Sequence, residues 1–129
     1  MRLKIILLGM LAVFALAGCR SAPIYEVVNA PVDIVPGKQY SLTNVRDAII
    51  RAGTSLGWQM KPAEPGHIVG TLNIRDHMAQ VDINYNRSSY DIRYKDSSNL
   101  DYNGTNIHPN YNGWIQRLDN TIRSQLANL

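Results

Sequence analysis

The sequence predicts an α+β fold in which a three- to four-stranded antiparallel meander lies between two helices, in the order α-β-β-β-β-α. Residues 41–56 and 109–126 repeat apolar residues at spacings of three and four, the period of an amphipathic helix. Between them, residues 67–95 alternate apolar and polar residues with a period of two, as strands with one buried face do. Since each helix has one apolar stripe and the sheet has one apolar face, we expect both helices to pack on that face.

The first helix is predicted to begin after Ser41, a residue type that favours the N-cap position. Gly57 suits the left-handed position that follows the last helical turn. The apolar stripe between them consists of Leu42, Val45, Ile49, Ala52 and Leu56. The polar side chains of the segment lie off this stripe, so the helix should bury one face only.

The strands are predicted from Trp58 onward. Trp58 and Met60 begin a short strand that Pro62 and the following turn bring to a close. Three alternating segments follow, and short turns at residues 75–77 and 86–89 join them into the meander. Their apolar members are Ile68, Gly70, Leu72, Ile74, then Ala79, Val81, Ile83, Tyr85, and finally Tyr90, Ile92 and Tyr94.

The second helix is predicted to follow a polar, turn-rich loop at residues 97–107. Pro109 fits the first helical turn, and His108 lies next to the cap. Its apolar stripe consists of Tyr111, Ile115, Leu118, Ile122 and Leu126, with Trp114 beside it.

The N-terminus has the pattern of an export signal. Arg2 and Lys4 precede an uncharged run, residues 5–17, which is shorter than the about 20 residues that a membrane-spanning helix needs. The motif Leu16-Ala17-Gly18-Cys19 resembles the lipobox of bacterial lipoproteins. This resemblance implies that residues 1–18 are a lipoprotein signal peptide and that Cys19 becomes the first mature residue, acylated with chains such as palmitate. Arg20, in place of aspartate, implies the outer membrane, with the inner membrane as the alternative.

A plain secretory signal with a chance cysteine, or a buried core helix, would also explain the apolar run. The lipobox interpretation is favoured because Cys19, the only cysteine, stands where the motif uses it. Residues 19–37 contain three prolines and two apolar patches, which predicts an extended, partly docked N-terminal tether that could add an edge strand. Residues 38–129 are then predicted to form a single α+β domain.

Composition bears on the possible partners. Of the thirteen basic residues, Arg2 and Lys4 leave with the signal, so eleven remain against ten acidic residues. A nearly neutral mature chain lacks the clustered basic face of a nucleic-acid-binding protein, and we expect no such partner. Acylation of Cys19 leaves no thiol for a disulfide or a metal. We therefore expect neither a metal nor another cofactor.

The histidines are the first candidates for chemistry. His67, His77 and His108 are predicted at a strand start, a turn and a helix cap, which is not a metal-ligand spacing. A hydrolase acting on envelope polymer could use Asp76, His77 and His108, with a serine nucleophile. Ser88 and Ser89 are the candidates, but they lack a nucleophile-elbow motif and are typical turn residues.

A group of aromatic residues is the other candidate. Tyrosines can stack on sugar rings or anchor a protein partner. The structural interpretation is favoured, because the mature chain loses its only phenylalanine, Phe14, with the signal and the strand and helix periods already place most of these tyrosines inward. The predicted ligand or partner surface consists of Tyr90, Tyr94, Tyr102, Tyr111 and Trp114 with His77 and His108.

Beyond the signal, two stretches resemble small Gram-negative lipoproteins that have no assigned activity. They are Asp91-Ile-Arg-Tyr-Lys-Asp-Ser-Ser-Asn-Leu100 and Ile107-His-Pro-Asn-Tyr-Asn-Gly-Trp-Ile115. The sequence therefore predicts a lipid-anchored, periplasm-facing and non-catalytic binding or accessory module, whose partner is an envelope protein or peptidoglycan. The alternatives are the hydrolase and a structural protein that docks a partner on a sheet edge at the Trp58 or Tyr90 strand.

Overall fold

The computed structural model describes residues 21–32 and 36–129, so the predictions for the signal, Cys19 and Arg20 lie outside the described residues. The elements are β1 (Ala22–Pro23), β2 (Val27–Pro31), α1 (Leu42–Ser55), β3 (Gln59–Pro62), β4 (His67–Ile74), β5 (His77–Tyr85), β6 (Ser89–Ser98), β7 (Asn106–Ile107) and α2 (Pro109–Ala127). Among the described residues, no helix is both long enough and apolar enough to cross a membrane.

The α+β class is confirmed, but the predicted strand count and order were only roughly right. Strands β3 to β6 form the expected antiparallel meander, and β2 adds a fifth strand beside β6, giving the order β2-β6-β5-β4-β3. Strands β1 and β7 form a separate two-stranded sheet. Periodicity does not reveal β2, because a register shift between Val27 and Ala30, with Asn29 at φ 55°, interrupts its alternation.

The first helix begins and ends as predicted. The Ser41 Oγ accepts a hydrogen bond of 3.0 Å from the Asn44 backbone N–H, which satisfies one of the free donors of the first turn. Gly57 has φ +93°, a conformation that other residues adopt with strain. The Trp58 N–H then bonds to the Gly53 carbonyl at 2.9 Å, which turns the chain directly into β3.

One face of the sheet and the stripes of both helices form a single core. Alternate residues of β4, β5 and β6 are buried, as predicted, whereas Ile74 at the end of β4 is 38 % exposed. Gly53 of α1 and Gly70 of β4 both lie against the Met60 side chain. A Cβ on Gly53 would overlap Met60, so this glycine allows α1 to approach the sheet closely.

The second helix is fixed to the sheet by a buried polar contact. The Tyr90 hydroxyl of β6 donates a 2.6 Å hydrogen bond to Oδ1 of Asp119, which is itself 5 % exposed. The Arg123 Nε donates to the other carboxylate oxygen at 3.2 Å. The buried charge is therefore bonded on both oxygens, which is the condition for keeping a carboxylate in a core.

Candidate functional surface at the start of the second helix

The structure separates the predicted binding residues into two sets. Tyr90 and Tyr111 are each 1 % exposed and belong to the core, so they are corrected to structural residues that a ligand cannot reach from solvent. They are buried because their strand and helix positions point toward the sheet–helix interface. The other five lie at one end of the domain, and we call them the α2-end surface. They are His77, Tyr94, Tyr102, His108 and Trp114.

Tyrosines form the first half of the α2-end surface. The Tyr94 and Tyr102 rings stack with centroids 3.9 Å apart, and Tyr111 meets Tyr94 edge-on at 5.9 Å. The hydroxyls of Tyr94 and Ser97 are 2.8 Å apart and share a hydrogen bond. Burial raises the pKa of Tyr94, although the Ser97 contact acts in the opposite direction. Tyr102, 38 % exposed, covers the ring of Tyr94 and presents its own outer face to solvent.

Two imidazoles and an indole form the second half. The His77 ring lies 6.3 Å from that of His108 and 6.2 Å from the nearest ring centroid of Trp114. The His77 Nδ1 is 2.8 Å from the Asn99 carbonyl oxygen and therefore donates to it. The His108 Nδ1 instead accepts from the Asn110 backbone N–H at 3.1 Å. In their neutral forms the two rings are thus opposite tautomers.

The loop between β6 and β7 connects the two halves. Asn99 and Asp101 have φ angles of 60° and 54°, in the left-handed region that these residue types tolerate best. The Asn99 side chain donates to Asp76 Oδ2 at 2.9 Å, and the His108 N–H donates to the Leu100 carbonyl at 2.9 Å. Leu100 is 1 % exposed, so the loop is held by a buried side chain as well as by hydrogen bonds.

The N-terminal segment is bonded to the same end of the domain. Strand β1 pairs with β7, and the Ile24 N–H donates to the Thr105 carbonyl at 2.9 Å. Asn112, in the first turns of α2, accepts from the Tyr25 N–H and donates to the Pro23 carbonyl, both at 2.9 Å. One side chain therefore joins two backbone groups of the N-terminal segment to the helix.

Glu26 continues this attachment where β2 stops pairing with β6. Its Oε2 accepts from the Tyr94 backbone N–H at 3.0 Å, and its Oε1 lies 3.5 Å from Arg93 Nη1. Burial raises the pKa of Tyr111, and the negative charge of Glu26 adds to this effect. The carboxylate thus accepts a hydrogen bond from the Tyr94 N–H, which would otherwise have no partner where the β2–β6 pairing ends.

The residues of the hydrolase alternative come together only in part. Asp76 Oδ1 is 3.6 Å from His77 Nε2, but the Asp76 side chain is 78 % exposed. In the described part of the chain, neither His77 nor His108 is hydrogen-bonded to a hydroxyl. The suggested nucleophiles, Ser88 and Ser89, lie at the other end of β5 from His77. There both N–H groups donate to Asn86 Oδ1; Ser88 lies in the turn and Ser89 begins β6, in line with the interpretation of both as residues of the β5–β6 turn region.

His67 lies on the open face of the sheet. Its Nε2 is 2.7 Å from Asp82 Oδ1, which is also 3.7 Å from the Lys95 ammonium. Across residues 21–32 and 36–129, no group of three or more His, Cys, Asp or Glu side chains has an arrangement that could hold a metal ion. His67 is thus part of a solvated cross-strand charge group.

Two concave surfaces lie near the β5–β6 turn, away from the α2-end surface. One of about 340 Å³ includes Arg46, Glu64 and Tyr85 in its lining, and one of about 330 Å³ includes Lys38 and Arg87. Neither includes a residue of the α2-end surface. Both concave surfaces are thus separate from the α2-end surface.

Compared with protein-family models, with curated proteins and with solved structures, the chain shows no match. Function must therefore be argued from the site. Sequence reasoning did not identify Asn99, Asn112 or Glu26, which hold the α2-end surface and the N-terminal segment in place. Asn112 lies off the apolar stripe of its helix, and an isolated polar residue gives no periodic signal.

Proposed function

We propose that the protein is a lipid-anchored, non-catalytic binding or accessory module of the bacterial envelope, held at the outer membrane through acylated Cys19 and facing the periplasm. The observation that carries the proposal is the docking of the chain from Ala22 onward against β7 and α2. The anchoring cysteine is only three residues before this docked segment. Anchor and candidate contact surface are thereby at the same end of the domain.

The chemistry of the α2-end surface supports binding by stacking and hydrogen bonding. Residues 102–116 contain no Asp, Glu, Lys or Arg, while they include Tyr102 and Trp114 of this surface and five amide side chains. Aromatic rings with polar ends suit surfaces that are part apolar and part wet. The open sheet face, by contrast, carries paired charges such as Arg93 with Asp91, and exposed pairs of this kind contribute little energy.

The structure leaves fewer free strand edges for a docked partner than the sequence suggested. Strand β6, which carries Tyr90, lies between β2 and β5, so it has no free edge. Strand β3 is an edge strand, but it has four residues and ends at Pro62, which has no N–H to offer. The hydrolase alternative has the proximity of His77 and His108 in its favour. Both Nδ1 atoms, however, are engaged by backbone groups.

Anchoring and binding can be tested in the same cells. We would label the wild type and Cys19→Ala with an alkyne fatty acid, and fractionate the membranes. A photo-crosslinking amino acid would replace Tyr102, with Asn84, an exposed residue at the far end of β5, as the matched control position. The proposal expects acylation that depends on Cys19, outer-membrane recovery, and crosslinked products from position 102 only.

Two outcomes would contradict this proposal. Absence of label from the wild type would remove the anchor, and equal crosslinking from both positions would remove the specific surface. Hydrolysis of envelope polymer by the wild type but not by His77→Gln would support the enzymatic alternative instead.

A further inference from the structure

We infer that the partner of the α2-end surface is the lipid headgroup layer of the membrane that holds the anchor. The inference rests on the proposed acylation of Cys19 and names the partner of the same surface. It follows from chain length, from the docking of the N-terminal segment, and from the distribution of charge.

Chain length limits how far this end of the domain can move from the membrane. Three peptide units connect Cys19 to Ala22, and a fully extended chain of three residues spans at most about 11 Å. Acyl chains on Cys19 lie in the hydrocarbon core, and the polar layer on each side of that core is roughly 5–7 Å thick. Ala22 must therefore remain within the headgroup layer or just above it.

Because the N-terminal segment is bonded to the domain, the limit on the distance between Ala22 and the membrane also applies to the β1 end of the domain. From Ala22 onward the chain is bonded to β7, Thr105 and Asn112. Further along, the Asn29 N–H donates to Asp91 Oδ1 at 2.7 Å and the Val32 N–H donates to the Ser88 carbonyl at 2.9 Å. A flexible linker that allowed the domain to move freely would be longer and richer in Gly and Ser. The domain therefore follows its anchor closely.

Few charges lie in the segments nearest to β1, although the exposed carboxylates of Asp76 and Asp101 border them. The two stretches that meet at this end, residues 21–25 and 102–116, contain no charged side chain. The exposed rings of Tyr25 and Tyr102, with 36 % and 38 % of their surface accessible, belong to these stretches. Tyrosine and tryptophan favour the membrane–water interface, where the ring lies among apolar groups and the polar end meets water. Charged side chains such as Arg117, Asp119 and Arg123 begin further along α2.

A protein partner fits this location less well. The gap between the membrane and the β1 end of the domain cannot exceed about 11 Å, the reach of the three-residue connection. A helix with its side chains is about 10–12 Å in diameter. A partner thicker than a single helix, such as a second copy of the chain, could not enter that gap beside β1. The lipid surface itself is the contact that this geometry leaves.

The test uses the full lipidated protein, reconstituted into vesicles of phosphatidylethanolamine and phosphatidylglycerol. Since Cys19 is acylated, a new cysteine is the only free thiol and can carry an environment-sensitive fluorophore. Thr105→Cys and Asn110→Cys place it on the predicted contact, on two different elements, and Asn84→Cys is the control. Lipids with a headgroup-level nitroxide then report proximity to the bilayer.

We expect quenching at positions 105 and 110 to exceed that at position 84 several-fold, with blue-shifted emission. A ten-residue Gly-Ser insertion after Arg20 should reduce the difference, because the reach then increases to roughly 40 Å. Equal quenching at all three positions, or stronger quenching at position 84, would overturn the inference. So would quenching that disappears on dilution of the protein in the vesicle, which would indicate a second copy as the partner.

Flotation separates this failure from failure of the proposed function. If the wild type does not float with vesicles while Cys19→Ala behaves identically, the anchor is absent and both ideas fail. If the wild type floats and the three fluorophores do not differ, only the orientation is wrong. Near-ultraviolet circular dichroism of each labelled variant confirms that its core is intact.

Discussion

Removal of the hydroxyl group from two buried tyrosines should change the stability of the fold in opposite directions. Tyr90, 1 % exposed, donates a 2.6 Å hydrogen bond to the buried carboxylate of Asp119. Tyr40 is 5 % exposed, and its hydroxyl has no hydrogen-bond partner among the described residues. Replacement of either tyrosine by phenylalanine keeps the ring and removes only the hydroxyl. The sign of the stability change therefore reports whether that hydroxyl is satisfied.

The magnitudes follow from the partners. Hydrogen bonds to charged groups contribute about 1.5–3 kcal/mol, and Tyr90→Phe also leaves the Asp119 carboxylate with Arg123 alone. For a domain of this size, that loss corresponds to a fall in Tm of roughly 6–12 °C. At Tyr40, an unsatisfied buried group costs about 1–3 kcal/mol, so Tyr40→Phe should stabilise the fold by about 1 kcal/mol.

Urea unfolding followed by circular dichroism measures both changes on the domain without its signal. Tyr85→Phe is the matched control, because Tyr85 is also largely buried, at 7 % exposed, but its hydroxyl, unlike that of Tyr40, is not a buried atom without a partner and lies beside an open concave surface. We expect the control to change the free energy of unfolding by less than about 0.5 kcal/mol. Equal losses for Tyr90→Phe and Tyr40→Phe would refute the argument, since stability would then not depend on the hydroxyl's partner.

Three further predictions concern the N-cap of α2, the hydrogen bonds of Asn112 to the N-terminal segment, and stability at alkaline pH. His108→Ala should lower stability by about 1 kcal/mol while His108→Ser restores it, because the cap needs only an acceptor; equal losses on urea unfolding would contradict this. Asn112→Ala should greatly reduce hydrogen-exchange protection of the Tyr25 amide and leave the α1 amides protected, since it removes both the acceptor for the Tyr25 N–H and the donor to the Pro23 carbonyl; unchanged exchange would count against this attachment. Burial raises the folded pKa of Tyr90 and Tyr111 above the unfolded value of about 10, so their contribution is present below pH 10 and lost as pH rises above it. Tyrosinate absorbance with thermal melts at alkaline pH checks this, and full titration of every tyrosine in the folded state near pH 10 would disprove it.

The parts of the fold that the sequence predicted are those with a strong period. Ser41, the stripe from Leu42 to Leu56 and Gly57 define α1 by local chemistry, and the alternation in β4 and β5 places the correct side chains in the core. The helix signals depend on neighbouring residues only. In the strands, a shift of one residue would expose every buried side chain, so the alternation fixes which residues face the core. They can therefore be predicted without knowledge of the tertiary structure.

Long-range contacts explain what could not be predicted. The sequence allowed an edge strand within residues 19–37, but the bounds and the partner of β2 could not be predicted, because β2 has a bulge, ends in Pro31 and pairs with the free edge of β6. Asn112 acts on Pro23 and Tyr25, which are almost ninety residues away in sequence. The aromatic group was predicted as one surface. Periodicity places Tyr111 on the apolar stripe of α2, but it gives no information on Tyr102 in the loop, so it could not by itself separate the buried tyrosine from the accessible one. That separation depends on the loop conformation between β6 and α2.

The absence of phenylalanine from residues 21–129 links the core to the α2-end surface. A core built with tyrosine can pair a hydroxyl, as Tyr90 does with Asp119, or place it at the rim, whereas the Tyr40 hydroxyl does neither among the described residues. Tyr94 takes the second course, and its ring lies at the edge of the core where Tyr102 stacks on it. Tyr102 is not needed to fill the interior, since 38 % of its surface remains accessible. Core construction thus accounts for Tyr94 but not for Tyr102, which makes Tyr102 the most informative position at which to test the proposed contact.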